Sequence, residues 1–366
     1  MLFEYPDVPG DRYFVFPILD MFMDVVYSLG ARTTGNKKKT FLLTGPNFDK
    51  MRVGTDITHL PMDSSYALIL GRTYFNGTKD LTTVHKLQAK YNLKAVDAMF
   101  THEIPLYNEP RINYTNNPKN EILKLTTHEY FDYLQNLLKY VSPPRQEDRE
   151  FVTKVKLLLG NDYSQLNGKL KQLLEPLPIV ALEILTFETA LLNKRLNNWE
   201  SPRLIGNYGT NYMARACIAA FGYASNINED SVYCNAFTSS DLTKLNGRHN
   251  YVIHFDNGLL PPVNAFWSVT LYIAVDDGWY FYPNSMNKYD ICSPRDPLVF
   301  NDDGSLDIYI QSAKVSNDSL INNWIPSPFA RDFLLTMRLY WPKLNPPSIL
   351  PVINSTWLPP YIKTIV

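Results

Sequence analysis

Residues 245–282 read LNGRHNYVIHFDNGLLPPVNAFWSVTLYIAVDDGWYFY, and this stretch decides the architecture of the second half of the chain. Tyr251-Val252-Ile253-His254-Phe255 is rich in β-branched and aromatic residues, the composition of a half-buried strand. Asp256-Asn257-Gly258 follows as a turn, because Asn and Gly accept the positive φ that tight turns need. Pro261-Pro262 has no N–H to give a ladder and therefore borders a strand. Ala265 to Ile273 reads as a long aromatic strand, which Asp276-Asp277-Gly278 returns into Trp279-Tyr280-Phe281-Tyr282 as a hairpin. A sheet with this aromatic mass has to be covered by a second sheet or by a ligand.

Outward from this stretch, Val232 to Phe237, the strictly alternating Ser305 to Gln311, and Phe333 to Trp341 add further strands. Six to eight strands in one antiparallel domain predict a jelly-roll sandwich over 199–366. At the other end, Arg12 to Pro17, Thr40 to Thr44 and Tyr66 to Phe75 are short strands separated by turn signals. They predict a β-sandwich over 1–115. Met21 to Ser28 fits a strand or a short helix equally well. The first strand of this reading starts close to Met1, so the sheet is expected to be incomplete, with an edge that helices or a second copy would cover.

Between the two, a polar linker (Asn108 to Asn120) is followed by a change of period from two to 3.6. Thr126 and Glu129 form a capping box ahead of Tyr130, Phe131, Leu134, Leu137, Leu138 and Val141. Further helices carry Phe151, Val155, Leu158 and Leu159, then Leu166, Leu170, Leu173 and Leu174, then Ile179, Leu182, Leu185 and Leu192 facing inward. The expected fold is mainly β with a small α-helical subdomain at 116–198, an N-terminal β-sandwich and a C-terminal antiparallel jelly roll.

With 35 basic and 36 acidic residues the chain is near neutral, so it has no electrostatic footprint for nucleic acid or an anionic membrane. Neither partner is expected. Three widely spaced cysteines, Cys217, Cys234 and Cys292, give neither a disulfide framework nor zinc spacing. No stretch of the sequence has the length or pattern of a membrane span, and the first residues lack a signal-peptide pattern, so a cytoplasmic location is expected.

Motifs of hydrolases, zincins, dinucleotide-binding folds and EF-hands are missing, and no cofactor is expected. His254 and Asp256 lie two apart on one strand and share a face, as metal ligands on a jelly roll would. No third ligand is identifiable and Asp256 equally serves the turn, so no metal is expected. Asp302-Asp303-Gly304, like Asp276-Asp277-Gly278, reads as a hairpin turn. Arg215 on an apolar helix requires a partner, either a jelly-roll carboxylate or an anionic ligand. Asn207, Tyr208, Tyr212, Trp267 and Tyr272 offer stacking and hydrogen-bonding surfaces for a sugar or another small polar ligand.

Gly206-Asn207-Tyr208-Gly209-Thr210-Asn211-Tyr212 with Arg215-Ala216, and Pro261 to Ser268, resemble the domain of unknown function 1214. Asn301 to Leu306, Tyr309-Ile310-Gln311, Asn323-Trp324 and Arg338 to Lys343 carry the same resemblance. Arg32-Thr33-Thr34-Gly35, Leu43-Thr44-Gly45-Pro46 and Gly71-Arg72-Thr73 resemble its usual N-terminal companion, the domain of unknown function 1254. The resemblance implies the same sandwich, helical module and jelly roll, and no established activity. It also marks departures: a shortened N-terminus, Asn211 where an Asp is common, and Ile291-Cys292-Ser293-Pro294-Arg295-Asp296 in place of an Ile-Gly-Asp-Arg turn.

The expected function is a non-enzymatic binding or interaction protein with a small polar or carbohydrate-like ligand. The alternative is a hydrolase-type enzyme, or an inactive relative of one, with Arg215, His254 and Asp256 converging at the jelly-roll mouth. Elemental analysis of the purified protein should find no stoichiometric transition metal, and His254→Ala should cost only about 1 kcal/mol in a denaturant melt.

Overall fold

The computed structural model describes residues 1–46, 48, 56–96, 115–116, 118–141, 143, 145–160, 163–275 and 278–365. Most of the linker and the Asp276-Asp277 turn lie outside them. The protein is mainly β with a helical module, and it divides into two compact units. Unit 1 comprises Met1–Ala190 and Gly206–Ser225; unit 2 comprises Leu191–Ile205 and Asn226–Val366.

Unit 1 begins with strands β1 (Leu2–Tyr5), β2 (Phe14–Leu19), β3 (Val25–Gly30), β4 (Lys39–Thr44), β5 (Ile57–Pro61), β6 (Leu68–Ile69) and β7 (Arg72–Thr73). Helix α1 (Leu81–Gln88) and strand β8 (Asn92–Lys94) follow. One sheet has the order β5-β4-β1-β8; the other places β3 and β6 on either side of β2, which also pairs with β7. Phe3, Tyr5 and Phe41 of the first sheet meet Phe14, Phe16 and Ile18 of the second in one core. The strand β1 was not anticipated: four residues are too few to stand out as a pattern. Its Phe3 and Tyr5 are nevertheless buried in alternation, and it occupies the middle of its sheet. The ambiguous Met21 to Ser28 becomes a hairpin. The Asp20 carboxylate accepts from the N–H groups of Phe22 (2.8 Å) and Asp24 (3.1 Å), Met23 takes a positive φ, and β3 follows.

The helical module contains α2 (Pro118–Leu123), α3 (Thr127–Tyr140), α4 (Gln146–Leu159), α5 (Gly168–Leu174) and α6 (Leu177–Leu192). The capping box of Thr126 and Glu129 is formed as read, and Gly160 ends α4 at φ 66°. Phe131, Leu159, Tyr163 and Leu174 make the module's core, with Leu134, Val155, Leu166 and Leu170 packed on it. Five residues expected inside, Leu137, Phe151, Leu158, Leu173 and Ile179, are exposed instead. A helical period places a stripe but not its edges, and these residues lie just beyond the seam that the neighbouring helices cover. Helix α7 (Tyr212–Phe221) completes unit 1; its N-cap is Asn211, whose side chain accepts from the Ala214 N–H. Asn caps a helix as well as Asp does, so this departure from the common motif keeps the cap.

Unit 2 holds β9 (Asn193–Leu196), β10 (Trp199–Pro202), β11 (Ser231–Ala236), β12 (Asn250–Phe255), β13 (Val263–Val275), β14 (Gly278–Phe281) and β15 (Asp290–Ser293). Then come β16 (Leu306–Gln311), β17 (Trp324–Pro326), β18 (Leu334–Pro342) and β19 (Ile362–Ile365). A seven-stranded sheet runs β14-β13-β18-β11-β10-β9 with β15 also on β13, and a four-stranded sheet runs β17-β16-β12-β19. Their inner faces interdigitate: Val232, Cys234, Trp267, Val269, Leu271, Leu335, Met337 and Leu339 against Tyr251, Ile253, Phe255, Leu306, Ile308 and Ile310. All three cysteines are free and buried, and burial pushes the Cys234 and Cys292 thiols up to about 12, far from a reactive thiolate.

Gly247 sits where the chain passes against residue 328: its N–H donates to the Arg331 carbonyl at 3.0 Å, and an added Cβ would overlap the Pro328 carbonyl. Gly247→Ala should cost on the order of 3 kcal/mol, read as a lowered urea midpoint at unchanged slope.

Candidate functional site

Three groups of polar side chains stand out, and each is built by a different piece of the fold. The first lies in unit 1. Helix α7 presents Arg215 toward α4 and the β2–β3 hairpin. Its Nη1 and Nη2 reach Asp148 Oδ2 at 3.2 and 3.3 Å, and Nη2 also reaches Asp24 Oδ2 at 3.4 Å. Nη2 donates in addition to the Gly209 carbonyl at 2.5 Å. Arg145 approaches Asp24 at 3.4 Å and Asn207 at 3.5 Å, and the Tyr208 N–H donates to Asp24 Oδ1 at 2.7 Å. The Tyr212 ring lies under the Arg215 guanidinium at 5.5 Å and stacks on Phe151. Asn207, Tyr208, Tyr212 and Arg215 are therefore brought together, as part of a buried ion cluster. The partners of Arg215 differ from the expected jelly-roll carboxylate: Asp148 comes from the helical module and Asp24 from the N-terminal hairpin. Burial pushes the Tyr208 hydroxyl up to about 12.

Asp20 sits behind this cluster, 2% exposed, with one carboxylate oxygen on the hairpin N–H groups and Oδ2 without a partner among the described residues. Burial, reinforced by the Asp24 charge, holds its carboxyl above the ordinary 3.8 against the hairpin N–H groups and Arg215.

The second group lies in unit 2. His254 on β12 stands directly opposite Asp307 on β16, with Nδ1 to Oδ1 at 2.6 Å. Its Nε2 faces Asp256 at 3.4 Å, and Asn301 donates to the other Asp307 oxygen at 3.0 Å. Nδ1 is thus held by Asp307, while the exposed Asp256 carboxylate stands at ion-pair distance from Nε2. Among the described residues no three His, Cys, Asp or Glu side chains come together to hold a metal. Arg215 belongs to unit 1, whereas His254 and Asp256 belong to unit 2. Asp303 serves its turn: its Oδ1 accepts from the Ser305 N–H and hydroxyl, and Gly304 takes φ 82°.

The third group covers the outer face of the seven-stranded sheet. The alternation that sends Leu335, Met337 and Leu339 into the core sends Thr336, Arg338 and Tyr340 outward. Arg338 leans along the sheet, donating to Thr270 Oγ1 at 3.0 Å and the Tyr272 hydroxyl at 2.9 Å. Its guanidinium lies 5.4 Å from the Tyr272 ring and 5.2 Å from the Tyr233 ring. No carboxylate pairs with it among the described residues. Rings continue the row on both sides. Tyr272 stacks on Phe281 (5.3 Å), Phe281 on Tyr289 (4.9 Å), and Tyr340 on Phe266 (4.2 Å). Between them Ser268, Thr270 and Thr336 form a buried hydroxyl floor, with Thr336 donating to Asn235 at 2.8 Å. Of the two unit 2 aromatics singled out in the sequence, Tyr272 is on this platform. Trp267, five residues earlier and so on the opposite face, is buried against Phe255 and offers no open ring. Arg338 itself was not foreseen as a site residue; the signal was a cation in the outward register of an otherwise apolar strand.

Residues 1–95 match the family described as Protein of unknown function (DUF1254), and residues 230–344 match Protein of unknown function (DUF1214). The two matches lie in that order along the chain, and the Arg338 platform lies inside the second. Asp20 and Asp24 lie inside the first, and Arg145, Asp148 and Arg215 fall between the two. Curated proteins gave no match. The crystal structure of the VPA0106 protein from Vibrio parahaemolyticus is similar over 100% of this chain and 85% of that one. At 19% identity and a TM-score of 0.71 it shares the fold. A structure of an uncharacterized protein from Burkholderia cenocepacia covers 100% of this chain and 72% of that one, at 10% identity. Its TM-score of 0.43 is too weak to build on.

The Asp20 geometry sets a pH dependence. A carboxyl whose folded pKa is raised stabilises fully below the unfolded value of 3.8 and loses that contribution as pH rises through the folded value. Asp20→Asn keeps the Oδ1 acceptor and removes the buried charge. It should raise the melting temperature at pH 7, by about 1 kcal/mol of stability, with the gain vanishing below pH 3.8.

Proposed function

We propose that this protein is a non-enzymatic binding protein for a small anionic ligand with a ring that stacks, such as a sugar acid, held on the outer face of the seven-stranded sheet. Arg338 carries this reading. An arginine is always charged, and setting one into a sheet face without a carboxylate costs free energy unless something supplies the missing anion. The guanidinium fork matches a carboxylate in two parallel hydrogen bonds. The Tyr233, Tyr272 and Tyr340 rings beside it give flat faces and hydroxyls, and the Thr270 and Thr336 hydroxyls lie beneath. That is the composition of a site that reads an anionic group and a polar ring together. The hydrolase alternative would rest on His254, held at Nδ1 by Asp307, and among the described residues no hydroxyl or thiol is hydrogen-bonded to its Nε2.

A thermal-shift panel tests the assignment. Glucuronate and galacturonate should raise the melting temperature where glucose and galactose do not, because only ligands of the native state stabilise it. Arg338→Met should remove the uronate shift while folding as well as the parent. No shift with either acid, or an equal shift in Arg338→Met, would refute the assignment.

A further inference from the structure

Helix α6 reads LPIVALEILTFETALL, with Glu183 and Glu188 its only charges, and none of its residues is buried. A helix apolar on every side normally lies in a core or a membrane. Among the described residues, however, no helix is long and apolar enough to cross a membrane. The module's own core is built from other helices; α6 contributes nothing to it. Its outward residues follow a rule: Leu177, Val180, Ile184, Phe187 and Leu191 are spaced three, four, three and four apart. This is the seam of a two-stranded coiled coil, and all five are between 38% and 68% exposed.

We propose that α6 is a self-association surface, and that two copies of the chain pair through it as antiparallel helices. Area and charge both point to a second copy. At these exposures the seam with the adjoining Ile179 carries on the order of 500 Å² of apolar surface. Pairing two copies covers about 1,000 Å², the scale at which an interface becomes specific. Glu183 and Glu188 flank the seam on opposite sides. Parallel pairing sets Glu183 against Glu188 of the partner subunit, like charge on like. Antiparallel pairing sets Ile184 on Phe187 of the partner subunit and Val180 on Leu191 of the partner subunit. Glu183 then faces Ala190 of the partner subunit, and Glu188 faces Ala181 of the partner subunit. The arrangement is two-fold symmetric, so each copy offers the same patch. A lipid surface fits less well, because anionic headgroups are bound by lysine and arginine and α6 has only glutamate.

Sedimentation analysis of the full chain should give a two-chain species, and Ile184→Lys with Phe187→Lys should convert it to one chain with unchanged far-UV circular dichroism. Orientation is read separately: Glu183→Cys mixed with Ala190→Cys should cross-link under mild oxidation, since the native cysteines are buried. A wild-type chain that stays single at every concentration would overturn the proposal, as would a double variant that still dimerises. Co-sedimentation of a single-chain wild type with phosphatidylcholine vesicles would overturn it in favour of lipid. Cross-linking of Glu183→Cys with Glu188→Cys instead would overturn the antiparallel arrangement.

Discussion

The pairing of β13 with β18 is the constraint on which unit 2 depends. From Phe266 opposite Tyr340 to Tyr272 opposite Leu334 the two strands run in unbroken antiparallel register. Because successive side chains alternate, that register assigns every residue of both strands to one face or the other. Trp267, Val269, Leu271, Leu335, Met337 and Leu339 go to the core, and Ser268, Thr270, Tyr272, Thr336, Arg338 and Tyr340 go outward. A slip of one residue would bury the arginine and expose the tryptophan. The same hydrophobic driving force that closes the sandwich therefore also assembles the aromatic platform on its back.

Two arginines illustrate opposite solutions to one problem. Arg215 is held by two carboxylates and a carbonyl drawn from a hairpin, a helix and a loop, so its charge is compensated within unit 1. That network ties α7 to parts of the chain nearly two hundred residues away, and its loss would leave buried charge without a partner. Among the described residues, Arg338 has hydroxyls and ring faces around it and no carboxylate partner. Such groups orient a guanidinium without neutralising it.

The helical module follows a different logic. Its α3, α4 and α5 close a small core of four buried side chains, and α6 remains apolar beyond what that core can use. Surface of this kind is retained against the general tendency of soluble domains to limit exposed apolar patches. The aromatic face around Arg338 lies in unit 2 and α6 lies in unit 1 as far as Ala190; the first rests on charge and stacking, the second on apolar area.

Read alone, the sequence determined the order of elements: strands, then capped helices, then aromatic strands. Periods of 2 and 3.6 and the turn chemistry of Asp-Asn-Gly or Thr-x-x-Glu are local properties. It grouped Trp267 with Tyr272 as ligand surface, although five residues on one strand set their side chains on opposite faces. Which face became core was decided by the four-stranded sheet that packs there, a contact between segments far apart in the chain. The partners of Arg215 were out of reach for the same reason: Asp24 lies 191 residues away and Asp148 lies 67 away, and no local pattern encodes such a pairing. Short β1 escaped notice because alternation over four residues is indistinguishable from chance, and only its place between β4 and β8 makes it a strand. Local periodicity sets what each segment can be; long-range burial and charge pairing set what it is placed against.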